Sequence, residues 1–170
     1  MTTTLDDLAA ELASIRDERA IERLIYQYGH VLDFGTPEDY IALFTEDAVV
    51  EVHNALIKVL HLDIPFPAPT MALLSSRGAE VTPDGMAFRG HAALRRFVTR
   101  AEPRTARSLH VSTQPLVNLT GPDDATAVTY LRIYHHDQAG TPGLFTFGRY
   151  LDTLRRTSAG WRISRRICEL

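Results

Sequence analysis

The chain has 170 residues, of which 45% are hydrophobic and 23% charged, and this size and composition are typical of one globular domain. Acidic residues number 21 against 18 lysines and arginines, which argues against nucleic acid or an anionic membrane as a partner. The lone Cys168 excludes an internal disulfide, and the acidic start lacks the features of a signal peptide. No apolar run approaches the ~20 residues that span a bilayer. We therefore expect a single cytoplasmic domain over residues 1–170.

The first predicted element is a long amphipathic helix. Apolar residues recur at intervals of three and four over residues 5–32, with charged residues between them. Capping-box patterns begin at both Thr4 and Ser14, so the helix can also be two pieces that meet near residue 14. On that interpretation residues 1–14 form an N-terminal helical extension.

Two shorter helices and a strand are predicted next. Thr36 followed by a proline and an acidic residue indicates the start of a helix over residues 37–44. Residues 48–52 are rich in valine and predict a strand. Phe88-Arg89-Gly90 precedes a third helix that ends near Ala101.

Between these elements, residues 55–83 give no clear pattern. Prolines at positions 65, 67 and 69 interrupt the apolar segments. We expect an inserted loop that acts either as a lid over a pocket, with Phe66 as an apolar wall, or as a contact with a neighbouring subunit. Long loops of this kind are often functional, so substrate identity is expected to be encoded here.

The second half of the chain is predicted to be all strand. Four segments, residues 108–119, 125–136, 144–154 and 161–167, are separated by turns rich in glycine and proline. Helices followed by an antiparallel meander favour an α+β fold, with a curved sheet closing over the helices.

His110 is the first candidate for chemistry. It shares one face of its strand with Ser108, Ser112 and Gln114, because side chains alternate between the two faces of a strand. This polar face either points to solvent or lines a site. Asp33 is a candidate partner, because it lies in the last turn of the first helix, where the helix dipole disfavours a carboxylate. A solvated turn residue is the alternative interpretation.

At this point the order of the residues resembles a known family. The order of the chain's motifs is similar to that of SnoaL-like proteins of the nuclear transport factor 2 (NTF2)-like superfamily. The similar parts are residues 19–33 and 39–48, the Phe88-Arg89-Gly90 motif, the strand histidine, and residues 148–152 and 160–163 near the end. The resemblance covers most of residues 15–167. In pattern the chain is nearest to the branch that contains scytalone dehydratase, bile acid 7α-dehydratase and hexachlorocyclohexane dehydrochlorinase.

The resemblance implies a cone-shaped α+β barrel, in which three helices and a strongly curved, mixed and mostly antiparallel sheet surround a deep pocket. It also implies a catalytic dyad, because Asp33 and His110 fall on the positions of the family's aspartate and histidine. Tyr28 matches a tyrosine that takes part in some members. The implied assembly is a homo-oligomer, either a dimer or a trimer.

The implied chemistry needs no metal and no organic cofactor. A neutral histidine accepts a proton near neutral pH, and a carboxylate on its other ring nitrogen fixes the tautomer. His110 would abstract a proton beside a carbonyl or a leaving group, and Asp33 would orient it. We expect a lyase of the dehydratase type that acts on a small apolar cyclic or polyketide-like molecule. A cyclase or isomerase that uses the same dyad, and a non-catalytic binding protein, are the alternatives.

Further contacts with the substrate are expected from Tyr26, Tyr130, Tyr134 and Phe66, although aromatic residues that simply pack a sheet are the alternative for the two strand tyrosines. The pairs of histidines, His53 with His61 and His135 with His136, lack the carboxylates or cysteines of a metal site. Arginines near the C-terminus are expected on solvated faces or at a subunit contact; they are Arg155, Arg156, Arg162, Arg165 and Arg166.

Overall fold

The computed structural model of the chain describes residues 4–53, 72, 74–83, 85–99, 108–136 and 140–170. Its first element is one continuous helix, α1 (Leu5–Phe34), rather than two pieces. The predicted capping box is present at its start, where the Thr4 hydroxyl accepts from the Asp7 backbone and the Asp7 carboxylate accepts from the Thr4 backbone.

The two halves of α1 have different surroundings. The buried residues of the helix begin at Ile21, whereas the apolar residues of the first half are exposed. These exposed residues are Leu5, Leu8, Leu12 and Ile15. The periodicity therefore predicted the helix correctly, but the apolar stripe of its first half does not face the core.

Shorter helices follow α1. Helix α2 (Pro37–Ile41) begins at the predicted capping box of Thr36 and Asp39 and ends earlier than expected. Helix α3 (Gly90–Val98) buries Ala93, Leu94 and Val98.

Within the described ranges, seven strands form one sheet. Its strands are β1 (Phe44–His53), β2 (Glu80–Thr82), β3 (Gly85–Arg89), β4 (Ser108–Leu119), β5 (Asp124–His136), β6 (Pro142–Thr157) and β7 (Gly160–Glu169). Their order is β2-β3-β1-β7-β6-β5-β4, with β1 and β7 parallel and the other neighbours antiparallel. The mixed α+β fold with a curved sheet is therefore confirmed, and the sheet is not closed, since β2 and β4 are its edges.

The segment expected to be a loop or lid is only partly described. Residues 55–71 of it, which include Phe66, lie outside the described residues. At its other end the expectation is corrected, because residues 80–82 form β2 and pair with β3. Backbone hydrogen bonds to β3 give this stretch a regular place in the sheet.

Alternation along β4 and β5 gives the sheet an inner and an outer face. On β5 the inner face carries Ala125, Ala127, Thr129 and Leu131, which are all buried. The register pairs His110 with Ile133 of this inner face and Leu109 with Tyr134 of the outer face. Helix α1 packs on the inner face of β4, so the helix and the start of this edge strand meet there.

Candidate active site

One face of the second half of α1 forms a wall of the site. Four residues of this wall occupy the i, i+3, i+4 and i+7 positions that share one face of a helix. They are Tyr26, Gly29, His30 and Asp33. The opposite wall is the first half of β4. A cleft lies between these two walls, and its lining residues are Tyr26, Gly29, His30, Asp33, Phe34, Leu109, His110, Val111 and Ser112.

Asp33 and His110 are joined across the cleft by two hydrogen bonds. The Nδ1 atom of His110 lies 2.6 Å from Oδ1 of Asp33, and the backbone N–H of His110 donates to Oδ2 at 2.7 Å. Both carboxylate oxygens therefore bind the same residue, which fixes the imidazole relative to the helix. Asp33 is buried, at 8% exposure, and the side chain of His110 is 14% exposed.

The contact also fixes which nitrogen of His110 faces the cleft. A carboxylate accepts hydrogen bonds, so in the neutral imidazole Nδ1 carries the proton and Nε2 has a free lone pair. Within the part of the chain that the structure describes, Nε2 has no hydrogen-bond partner. An imidazole with this orientation can accept a proton from a bound molecule, and the carboxylate then stabilises the resulting cation.

Gly29 allows the close approach of α1 and β4. A Cβ atom at this position would lie 2.4 Å from the backbone carbonyl oxygen of His110, closer than real Cβ contacts come. The absence of a side chain at Gly29 is therefore a condition for the distance between Asp33 and His110.

The cleft has a volume of about 330 Å³. Pockets for small molecules in proteins usually measure about 300–1,000 Å³, so the space suits a compact ligand. Its walls combine the apolar ring of Phe34 with the polar groups of the dyad. Tyr26, which was predicted to contact substrate, lies in the wall and is 45% exposed.

Tyr28 does not line this cleft, and its placement there is corrected. It precedes Asp33 by five residues, which rotates it about 140° around the helix from Asp33. Its ring is buried in the core, where its hydroxyl lies 3.3 Å from that of Tyr40. Tyr26 precedes Asp33 by seven residues and therefore returns to the face of the cleft.

Tyr130 and Tyr134 also lie away from the cleft, so their predicted place in the site is corrected. Both are on the outer face of β5, where they are 59% and 38% exposed. The inner face of this strand carries the buried residues Thr129 and Leu131. Side chains alternate between the two faces of a strand, so the tyrosines point away from the face that meets α1.

A buried ion pair lies beside Tyr28, in the core rather than in the cleft. Arg166 and Asp152 are joined at 2.7 and 2.6 Å, and neither side chain is exposed. The guanidinium lies over the rings of Tyr28 and Tyr150, at 4.0 and 4.1 Å from their centroids. Arg166 therefore does not belong to a solvated face, which corrects the expectation for this member of the C-terminal arginines.

Burial sets the proton affinities of the groups around this pair. Desolvation lowers the pKa of Arg166, but the adjoining carboxylate of Asp152 more than offsets this and holds the pKa above the usual arginine value. Burial raises the pKa of Tyr28 to about 12 and that of the Cys168 thiol to about 12. Cys168 is thus protonated and inert at neutral pH, which excludes it as a nucleophile.

His30 and Gly29 were missed by the sequence analysis. Their signal was present in the sequence, because both belong to the same i, i+3, i+4, i+7 stripe as Asp33. Among residues 4–53, 72, 74–83, 85–99, 108–136 and 140–170, no three His, Cys, Asp or Glu side chains are grouped as metal ligands. In the same ranges, no helix is long and apolar enough to cross a membrane.

Comparisons with known proteins give this geometry a context. The family profile of the SnoaL-like domain matches residues 13–167. No match was found among curated proteins. Among solved structures, an NTF2-like protein with a cystatin-like fold from Novosphingobium aromaticivorans is similar at a TM-score of 0.73 and 24% identity, over 100% of this chain and 92% of that one.

Two further structures from Novosphingobium aromaticivorans are similar to the chain. A proposed scytalone dehydratase has a TM-score of 0.63 at 19% identity, over 92% of this chain and 85% of that one. The β subunit of a proposed aromatic-ring-hydroxylating dioxygenase has a TM-score of 0.67 at 17% identity, over 93% and 90%. At these identities the similarity describes the fold alone.

Proposed function

The chain belongs to the SnoaL-like domain family, and from the Asp33–His110 contact we propose that it is a cofactor-free lyase of the dehydratase type. The observation that carries the proposal is the 2.6 Å contact between Nδ1 of His110 and the buried carboxylate of Asp33, in the wall of a cleft of about 330 Å³. A buried carboxylate on one imidazole nitrogen, with the other nitrogen free beside a cleft, is the arrangement of a general base.

The proposed reaction begins with removal of a proton from carbon. Nε2 of His110 accepts a proton from a carbon next to a carbonyl group, and the electrons of the C–H bond form a C=C bond. The bond from the neighbouring carbon to its hydroxyl or halide then breaks. Asp33 holds the imidazole in place and stabilises its cation during this step, a form of catalysis that contributes typically 10²–10⁴-fold.

The size and lining of the cleft support a small and weakly charged substrate. Phe34 provides an apolar contact, and Tyr26 offers a hydroxyl. A compact cyclic or polyketide-like carbonyl compound with a hydroxyl group on the β-carbon fits this combination. The alternatives, cyclisation or isomerisation by the same dyad, share the first proton transfer and differ in the later bond changes of the substrate.

The test is an elimination assay with β-hydroxypropiophenone and cyclic β-hydroxy ketones, in which the enone product is followed by its absorbance. Asp33→Asn and His110→Gln should each lower the rate at least 100-fold with the fold intact, because the general base is lost or misoriented. The control is His136→Gln, which changes an exposed residue of β5 away from the cleft. Near wild-type turnover in either dyad variant would refute the assigned roles.

The same assay in heavy water separates the alternatives. Exchange of the α-proton without loss of water would indicate an isomerase or cyclase. A wild-type protein that neither eliminates nor exchanges with any compound of the panel would refute proton abstraction and favour a non-catalytic binding protein. We propose that the enzyme acts in the cytoplasm.

We infer that the partner of the chain is a second copy, bound through an apolar patch that we call the outer sheet face. Its residues are Leu109, Val111, Leu116, Val128, Tyr130, Tyr134, Leu144 and Phe147, which are 36–73% exposed. The register places them in adjacent rows on β4, β5 and β6. With about 200 Å² for a large side chain, the patch exposes on the order of 800 Å².

This area matches what a stable dimer needs. The largest apolar patch of a typical monomer measures about 300–600 Å², whereas a standard interface buries about 800 Å² on each partner. Phe147→Glu should therefore convert a homo-oligomer into a monomer, as measured by light scattering during gel filtration. Leu12→Glu, which changes an exposed leucine of α1 outside the patch, is the control. A monomeric wild-type protein at micromolar concentration would refute the inference.

A further inference from the structure

His30 lies on the helical wall of the cleft, and His110 lines the opposite wall. It precedes Asp33 by three residues, so the Cβ atoms of His30 and Asp33 are about 5–6 Å apart on the same face of α1. It also borders a second, more open groove of about 440 Å³ that continues along α1. The imidazole of His30 has no hydrogen-bond partner within the described part of the chain.

Loss of water from a β-hydroxy carbonyl compound needs an acid as well as a base. Hydroxide is a poor leaving group, and a proton delivered to the departing oxygen lowers the barrier. In a concerted elimination the two proton transfers occur together, so His110, whose Nε2 atom accepts the α-proton, does not also donate to the leaving oxygen. The dyad alone therefore provides no proton donor for the leaving oxygen in such a step.

We propose that His30 is the general acid of the site and donates a proton to the leaving oxygen. The proposal rests on the proposed function and deepens it. In the balanced step, Nε2 of His110 takes the α-proton, the C=C bond forms and the C–O bond breaks. The leaving hydroxide takes the proton of the His30 imidazolium and departs as water. His30 is exposed and regains its proton from solvent, while His110 returns its proton to solvent.

Other titratable groups face His30 from both walls and from the groove. Asp33 and Tyr26 lie on its own helix, and His110 faces it from β4. On the side of the groove the charged residues are Arg19, Glu22 and Arg23. Within this set, histidine side chains ordinarily exchange protons near neutral pH, whereas tyrosine does so near pH 10. Tyr26 is therefore the competing acid, and it predicts a different pH dependence.

The first experiment measures kcat/KM of wild type, His30→Gln and Tyr26→Phe with β-hydroxypropiophenone between pH 5 and 10. We expect a bell-shaped profile for wild type, with loss of the alkaline limb and a fall of about 100-fold for His30→Gln. A matched substrate with fluoride as leaving group needs less help from an acid, so His30→Gln should slow it far less. His136→Gln is the control, since it removes an exposed histidine on the outer face of β5.

The outcomes separate the inference from the proposed function. If wild type is active and His30→Gln keeps the full profile, or if only Tyr26→Phe loses the alkaline limb, the role of His30 is refuted and the dyad is not. If wild type is inactive with every substrate, the proposed function fails. The placement of His30 is then decided by NMR, in which His110→Gln should shift the ring resonances of His30 because both side chains line the same cleft. Unmoved resonances overturn the inference.

Discussion

Removal of the charge of Asp152 should destabilise the fold far more than removal of an exposed acidic residue. The Arg166 guanidinium is wholly buried, bonded to Asp152 through two nitrogens and enclosed by the rings of Tyr28 and Tyr150. Asp152→Asn keeps the shape of the side chain and leaves a buried cation without its counter-ion. Breaking a buried pair in this way costs about 3–5 kcal/mol.

Urea denaturation measures this loss through the fluorescence of the single tryptophan, Trp161, which is 5% exposed. With a dependence on urea of about 2 kcal/mol per molar, the midpoint of Asp152→Asn should fall by about 1.5–2.5 M. The double variant Asp152→Leu with Arg166→Met removes both charges, and it should recover most of the loss because no unpaired ion remains in the core.

The control for this prediction is Glu80→Gln. Glu80 forms an ion pair with Arg89 at 3.1 Å, but both side chains are more than half exposed. Exposed pairs contribute about 0–1 kcal/mol, so the midpoint of this variant should hardly change. A shift for Asp152→Asn that is as small as the shift for Glu80→Gln would show that the burial argument is wrong.

Two further predictions concern Gly29 and Cys168. Gly29→Ala should lower stability, and it should lower turnover at least tenfold, because its Cβ atom would lie 2.4 Å from the His110 carbonyl oxygen. Circular dichroism measures the loss of stability, and the elimination assay measures the loss of turnover. Gly121→Ala is the control and should show neither loss, because open space surrounds Gly121. Burial raises the pKa of Cys168 to about 12, whereas an unfolded thiol ionises near pH 8.5. The free energy of unfolding should therefore be unaffected below about pH 8 and fall by up to about 1.4 kcal/mol per pH unit above it. Cys168→Ala should lack this fall, because it removes the thiol. If the urea midpoint of the variant falls as steeply as that of wild type between pH 9 and 10, the thiol is not the cause of the pH dependence.

The sequence predicted those parts of the fold that depend on local patterns. Both capping boxes that begin α1 and α2 are present, and β4 begins and ends where alternation placed it. Local rules decide these features, since a cap needs only one turn of helix and a strand only its own alternation. The register of β4 against β5 is correspondingly regular up to a bulge near Gln114, which has a φ of 53°.

The sequence did not predict which face of a strand or helix would turn inward. Alternation grouped Tyr130 with Tyr134 correctly, but it does not show that the opposite face, which carries Leu131 between them, turns toward the core. For Tyr28 the family resemblance implies a place beside Asp33, whereas a spacing of five residues corresponds to about 140° around the helix and excludes it from the cleft. The same helical geometry includes Tyr26, as predicted, and His30, which was missed.

The buried arginine shows a different limit. Arg166 is one of several arginines near the C-terminus, and single-residue burial preferences place nearly all arginines at the surface. It is buried because Asp152 lies opposite it on the neighbouring strand β6, a pairing that depends on the register of β6 and β7. Register is a non-local property, so residues 160–169 alone do not identify this arginine.

Helix α1 joins the stability of the domain to its proposed chemistry through two different faces. The face that carries Tyr28 packs on the buried ion pair, whereas the face that carries Gly29 and Asp33 packs on β4 and holds His110. Changes on the first face should therefore lower stability while the residual folded protein keeps its dyad. Changes on the second face alter the distance between Asp33 and His110 directly. Because the two faces are separate, we expect a variant of Asp152 to retain its turnover per folded molecule, whereas a variant of Gly29 should lose it.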